Sequence, residues 1–311
     1  MTDNIKMKSL LTKTRISALS FILLFLLYSV AGVNTTPAAT SPTEKLKVHF
    51  IDVGNGDAIL IDLGETEILI DGGLPTSGVS TYLGDHVNGS LEAMVATHPH
   101  PDHIGGLINV LETFHVNEIY LNGDVVFQKF PFFRIYEKFT DLVKAEGSTV
   151  LEARRGQTID IGVLSFHVIH PDRLISYDSS QDTSSILRTM NNNSIVLRLR
   201  YGNISFLFTG DVHIEAETDI LKTGLEVRAD ILKMGGHGVI RSSSPQFRKA
   251  VMPEIAIYMA GGKIPEKGPK KPHPHIFAAF QKAGAAVYGT KTHGHIIIAT
   301  DGKTYTIVTE K

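Results

Sequence analysis

Cysteine is absent from all 311 residues. No disulfide framework can exist, and no thiolate is available as a nucleophile or a metal ligand, so stability outside the cell would have to come from core packing and bound metal. A basic field is also missing. The formal net charge of the chain is −2, and it becomes −5 when the N-terminal leader, four cations against Asp3, is set aside. A mildly acidic body does not announce nucleic-acid binding through its overall charge, so any DNA-binding face must be local. No short-period repeat is visible, and long apolar runs are confined to one place near the N-terminus.

That run, Ile16 to Val33, follows Lys6, Lys8, Lys13 and Arg15, and the small residues Ser29 and Ala31 suit the positions before a signal-peptidase cut. The alternative is an uncleaved anchor, because roughly 17 to 25 apolar residues span a bilayer. Either reading keeps the cationic end inside and sends the rest across the membrane, so export is the expectation. Residues 1–33 are thus a signal peptide or membrane anchor, 34–44 a polar, Pro-containing tether without periodic apolar pattern, and 45–311 a single folded domain.

From Leu46 the chain reads as β-rich. Short strands are expected over Val48–Val53, Ala58–Asp62 and Glu67–Asp71, separated by Gly-Asn-Gly-Asp and Gly-Glu-Thr turns. Leu91–Thr97 is a further strand, followed by a helix beginning near His103. A second strand and helix cover Val116–Leu121 and Phe130–Ala145. The second half repeats the pattern with strands near Thr149–Leu151, Leu164–Ile169, Ser194–Tyr201, Ile204–Thr209 and Ala229–Met234, and a helix over Ile214–Leu221. The polar stretch Asp172–Asn193 has few apolar anchors and reads as a flexible loop. The aromatic run Phe127 to Tyr136 reads as core packing at a helix start, with a stacking rim as the alternative.

Chemistry concentrates in Thr97-His98-Pro99-His100-Pro101-Asp102-His103-Ile104-Gly105-Gly106. His98 and His100 stand two apart in an extended, proline-spaced segment, so their rings project to one side, and Asp102 and His103 follow at the turn. Three imidazoles and a carboxylate on one loop after a strand form a metal site, suited to zinc, with manganese or iron as second choices. Gly54 and Gly56 would let a neighbouring backbone approach that loop, and Asp52 or Asp57 would hold it; hairpin turn chemistry at Asn55-Gly56 is the plainer alternative. Asp71, before Gly72-Gly73, is expected to orient a ligand histidine.

The segment THPHPDHIGG resembles the HxHxDH signature of the metallo-β-lactamase superfamily. Val48 to Ala58, Ile68 to Gly73, Asn192 to Leu197 and Phe206 to Asp211 resemble, in order, the hydrolase domain of the ComEC DNA-uptake protein family. The resemblance implies an α/β fold, an αββα sandwich of two mixed sheets flanked by helices. It implies that Asp211 bridges two metals, although an Asp after a strand also serves as a helix cap. In Lys233-Met234-Gly235-Gly236-His237-Gly238 the family shows two adjacent histidines. Here Gly236 replaces the first, leaving His237 as the candidate ligand and His273 or His275 as candidate replacements. The third ligand of the first metal falls near Asn193-Ser194, where a nitrogen ligand is missing.

Those assignments imply that His98 and His100 hold one ion and Asp102, His103 and His237 the other, with Asp211 between; Asp102 would accept a proton if only one ion is retained. Catalytic roles fall to Asp102, His237 and Asp211. The implied activity is an exported metal-dependent phosphodiesterase acting on DNA, with Lys263, Lys267, Lys270 and Lys271 as a basic loop beside the site. A lactonase-like or β-lactamase-like small-molecule hydrolase, or a metal-bearing binding module without catalysis, remains open, because one fold hosts many chemistries. Nothing in the sequence resembles the many membrane helices of the uptake channel, so transport by this chain alone is not expected.

Overall fold

The computed structural model describes residues 44–261 and 271–311; the leader and all but the last tether residue lie outside them, as do Lys263, Lys267 and Lys270. In chain order come β1 (Leu46–Phe50), β2 (Ile59–Leu63), β3 (Thr66–Ile70), α1 (Val79–Gly84), β4 (Leu91–Ala96), α2 (Pro101–Leu111), β5 (Val116–Leu121), α3 (Phe133–Glu146) and β6 (Thr149–Glu152). There follow β7 (Thr158–Ile161), β8 (Leu164–His170), α4 (Thr183–Asn192), β9 (Val196–Tyr201), β10 (Ile204–Phe208), α5 (Ile214–Lys222) and β11 (Ile231–Lys233). The chain closes with α6 (Pro245–Val251), β12 (Ile255–Tyr258), α7 (Pro274–Lys282), β13 (Ala286–Gly289), α8 (Thr290–His293), β14 (Ile296–Thr300) and β15 (Tyr305–Thr309).

Two mixed sheets result, ordered β15-β14-β1-β2-β3-β4-β5-β6 and β13-β12-β11-β10-β9-β8-β7. Strand alternation explains the layers. In β3 and β4, Ile68, Ile70, Ala93 and Val95 join Phe166, Leu197 and Phe206 of the other sheet in the central core. Their alternates Leu69, Met94 and Ala96 turn outward under α1, α2 and α3. The second sheet does the same against α5, α6 and α7 through Leu207, Leu232 and Ala256. Helix, sheet, sheet, helix is the order of layers expected from the sequence.

Several boundaries and one whole element differ from the sequence reading. Strand β1 ends at Phe50, and the chain leaves the sheet over Ile51 to Val53 with Ile51 and Val53 still buried and Asp52 half-buried. Helix α2 starts at Pro101 rather than His103, because proline at the first helical position carries no N–H that would need a partner. The stretch Asp172–Asn193 is not all loop: Asp182 caps α4, which buries Ile186 and Met190. Those two side chains pack on Phe130, with Phe127, Phe132, Phe133 and Tyr136 around them, so the aromatic run is core beneath α4. No helix among the described residues is long and apolar enough to cross a membrane.

Candidate metal centre

The centre lies where β4 meets α2. Helix α2 buries Ile104, Leu107, Ile108, Val110 and Leu111, each contributing about 1.5–3 kcal/mol relative to exposure. The segment Thr97 to His100 is thereby fixed between a core strand and a core helix. Glycine is required beside it. A Cβ at Gly56 would overlap the Asp102 carbonyl, and Asp57 N–H donates to that carbonyl at 3.2 Å. Gly54 has nothing within 4 Å of a Cβ, so only Gly56 serves the close approach. Gly106 and Gly72 likewise let the start of α2 lie against the end of β3, where Gly72 N–H donates to His103 O at 2.8 Å.

Hydrogen bonds fix which nitrogen of each histidine faces the centre. Asp71, held in the left-handed region at φ 58, accepts from the Thr97 backbone at 2.8 Å and the Thr97 hydroxyl at 2.7 Å. With its proton given to Asp71, the Thr97 oxygen accepts from His98 Nδ1 at 3.1 Å. Asp71 also accepts from His103 Nδ1 at 2.7 Å, and the Met259 carbonyl accepts from His237 Nδ1 at 2.8 Å. Each Nδ1 is therefore engaged on the outside and each Nε2 is turned inward. This outer fixing of imidazole tautomers is how proteins prepare histidines for a metal.

Inward, His98 Nε2 stands 3.0 Å from His100 Nδ1. His237 Nε2 lies 3.2 Å from Asp211 and 3.5 Å from Asp102, and His103 Nε2 lies 3.5 Å from Asp211. The buried atoms His103 Nε2, His237 Nε2, His100 Nε2 and Asp211 Oδ1 have no hydrogen-bond partner among the described residues. Donor sets His98-His103-Asp211, Asp102-His103-His237 and Asp57-Asp211-His237 each bring their ligand atoms within 4.8 Å of one another. Nitrogen and carboxylate donors without thiolate fit zinc, manganese or iron.

Charge in the cluster is balanced by protons. Burial lowers His98 well below its ordinary pKa and His100 to about 4, so both are neutral at pH 7, the form a metal would require. Burial also opposes charge on His237 and His103, but Asp211 and the neighbouring carboxylates outweigh it, raising His237 to about 9 and His103 well above its ordinary value. Burial would raise Asp102, Asp211 and Asp57; His237 and His103 hold the first two down, and Lys233 with His237 holds down Asp57. A divalent cation would compete with those protons for the same atoms.

The structure brings His98, His100, Asp102, His103, Asp211 and His237 together, with Asp71 behind His103. It does not bring Asn193 or His273. The Asn193 amide is spent on Asp124 at 2.9 Å and on Ile175. Ser194 stands at the centre instead, its hydroxyl 3.3 Å from His98 Nδ1 and accepting from Asp211 N–H at 3.1 Å. His273 caps α7 with Nδ1, accepting from His275 N–H, and joins no donor set. Asp52 is also elsewhere, its carboxylate 3.6 Å from Lys311.

Two residues at the centre had not been singled out from the sequence. Lys233 is 1 % exposed, paired with Asp57 and donating to Gly210 O at 2.7 Å. Its signal was a lysine ending the apolar strand Ile231-Leu232-Lys233, which burial obliges to have a carboxylate partner. His213 lines a cavity of about 550 Å³ that opens from Asp211 and His237, walled also by Arg241 and Lys271. Nothing in its local sequence marked it.

Residues 51–263 match the family model of the metallo-beta-lactamase superfamily. The chain belongs to that superfamily. Among curated relatives, ComE operon protein 3 of Bacillus subtilis is 28 % identical over 276 residues, covering 80 % of this chain and 32 % of its own length. Competence protein ComA of Neisseria gonorrhoeae is 25 % identical over 237 residues, 75 % of this chain and 29 % of that protein. The chain thus spans about a third of the length of these relatives. The metallo-beta-lactamase fold protein YhfI of Bacillus subtilis shares the fold at a TM-score of 0.52 and 15 % identity, over 83 % of this chain and all of that one. A superfamily hydrolase fold therefore carries the imidazole and carboxylate cluster.

Proposed function

We propose that the protein is an exported, metal-dependent phosphodiesterase that acts on DNA. The observation that carries this reading is the cavity itself: two cationic side chains, Arg241 and Lys271, wall the space into which Asp211 and His237 face. That arrangement suits an anionic phosphodiester beside a metal centre, and the competence-protein relative supports DNA as the polymer. His98 and His100 would hold one divalent ion, and Asp102, His103 and His237 another, with Asp211 shared. Zinc is the first candidate and manganese the second. Such ions supply a water of lowered pKa and counter the charge that grows on phosphoryl oxygens.

The chain's own residues do the rest. Asp71 and Met259 O hold the histidines in the tautomer that presents Nε2. Asn55 spans the centre and the cavity wall, donating to Asp102 at 3.0 Å and accepting from Lys271 at 3.2 Å. Lys271 is thus positioned relative to the carboxylate, and is the one lysine of the expected basic loop among the described residues. The test is salt. Cleavage of DNA should fall steeply with added salt, log affinity changing by about 0.7 to 0.9 per phosphate contact for each log unit of salt. Turnover of a neutral lactone or β-lactam with a flat salt response would instead make the protein a small-molecule hydrolase.

A further inference from the structure

Gly236 stands where the resemblance implied the first of two adjacent histidines, and the structure shows what borders that space. The glycine has φ 53, and a Cβ built on it would meet Val239 Cγ2 at 2.9 Å and the His213 ring, Cδ2 and Nε2, at 3.6 Å. A Cβ at 236 would press on Val239 and touch the His213 ring at ordinary contact distance, so the two positions border one space. His213 is held there firmly. Its N–H donates to Asn192 Oδ1 at 2.9 Å, and its carbonyl accepts from Glu217 N–H at 3.0 Å at the start of α5.

The residue is 7 % exposed. Its Nδ1 is buried without a hydrogen-bond partner among the described residues, and its Nε2 faces the Asn191 amide at a long 3.4 Å. A buried imidazole nitrogen with no partner costs free energy unless something bound satisfies it. His213 belongs to none of the donor sets that could converge on an ion. It lines the cavity with Asp211, His237, Arg241 and Lys271.

We propose that His213 is a substrate-contacting residue whose imidazole hydrogen-bonds a phosphoryl oxygen in this cavity, and that glycine at 236 leaves it the room to do so. The assignment rests on the phosphodiesterase reading for its substrate class. An imidazole is needed in that space, and one placed at 236 would reach it only at the cost of positive φ and displacement of Val239.

The test uses the metal-loaded full chain and two readouts, calorimetric binding of inorganic phosphate and turnover of a phosphodiester, with metal content measured for every variant. His213→Ala should weaken phosphate binding and kcat/KM by about 10-fold or more, the scale of a lost hydrogen bond to a charged group, with metal content unchanged. His213→Gln, which keeps a side-chain donor, should lie between Ala and wild type and serves if the alanine variant folds poorly. Gly236→His should lower both readouts in the wild-type background and raise both in the His213→Ala background. Phosphate affinity equal in wild type and His213→Ala would overturn the assignment, as would loss of metal in step with loss of phosphate. Phosphate binding that depends on His213 in a protein with no phosphodiester turnover would uphold the assignment while the phosphodiesterase reading fails.

Discussion

Replacing Lys233 by methionine tests how the centre holds its buried charge. The lysine is 1 % exposed and its ammonium is paired with Asp57, 2.7 Å from Gly210 O and 3.6 Å from Asp211. Methionine nearly keeps the volume, so packing loss is small and the effect isolates charge. Asp57 would be left buried with His237, 3.2 Å away, and His103, 3.9 Å away, as its remaining counter-charges. Breaking a buried pair by removing one partner costs about 3–5 kcal/mol, which for a domain of this size lowers Tm by roughly 6–20 °C. Thermal unfolding of chelator-treated wild type and Lys233→Met gives the number. The double variant Lys233→Met with Asp57→Asn removes both charges and should recover more than half of the loss. A Tm within about 2 °C of wild type for the single variant would refute the view that Lys233 neutralises the carboxylates.

Asp71→Asn keeps a residue that tolerates φ 58 but weakens the acceptor behind His103, so metal affinity should fall about 10- to 100-fold in a chelator competition, with no change in the far-UV circular dichroism. His98→Ala and Asp102→Ala should each abolish hydrolysis and retain a cooperative thermal transition, because they open coordination rather than the core; activity in either would separate the metal centre from catalysis. The metal-free protein should lose stability as pH rises. Because the folded-state pKa of His237 is raised to about 9, its contribution is complete below the unfolded value near 6.5 and is lost as pH passes 9. Urea unfolding at pH 6 and pH 9.5 should then differ by about 3 kcal/mol, and equal values would show that His237 does not hold its proton.

The ligand loop was legible because its residues are local: His98, His100, Asp102 and His103 lie within six positions, and a strand before them and a glycine-bearing helix after them leave few ways to fold. Asp211 and His237 were legible through their motifs. The partners that make the cluster work were harder to see. Asp57 and Lys233 come from β-strand ends of different sheets, 176 positions apart, and only the sandwich brings them together. Helix α4 hides in a polar stretch because its apolar face needs only Ile186, Leu187 and Met190 against the aromatic run. Near the C-terminus, β14 pairs with β1 across almost the whole folded chain and β15 pairs with β14, a register that no local pattern encodes. Sequence reasoning looked for the nitrogen missing at Gly236 in His237 and His273; α7 claims His273 as its cap, and His213 stands beside the glycine.

The central claim, that the cluster binds metal and that the metal centre cleaves DNA, is tested most directly by one paired measurement on the purified protein. Metal content is determined by elemental analysis, and cleavage of DNA is followed in the same preparation before and after treatment with a chelator. The account predicts at least one tightly held divalent ion per chain, zinc or manganese, cleavage that disappears with the ion, and recovery when the ion is restored. A metal-free protein that still cleaves DNA, or a fully loaded one that does not, would contradict it.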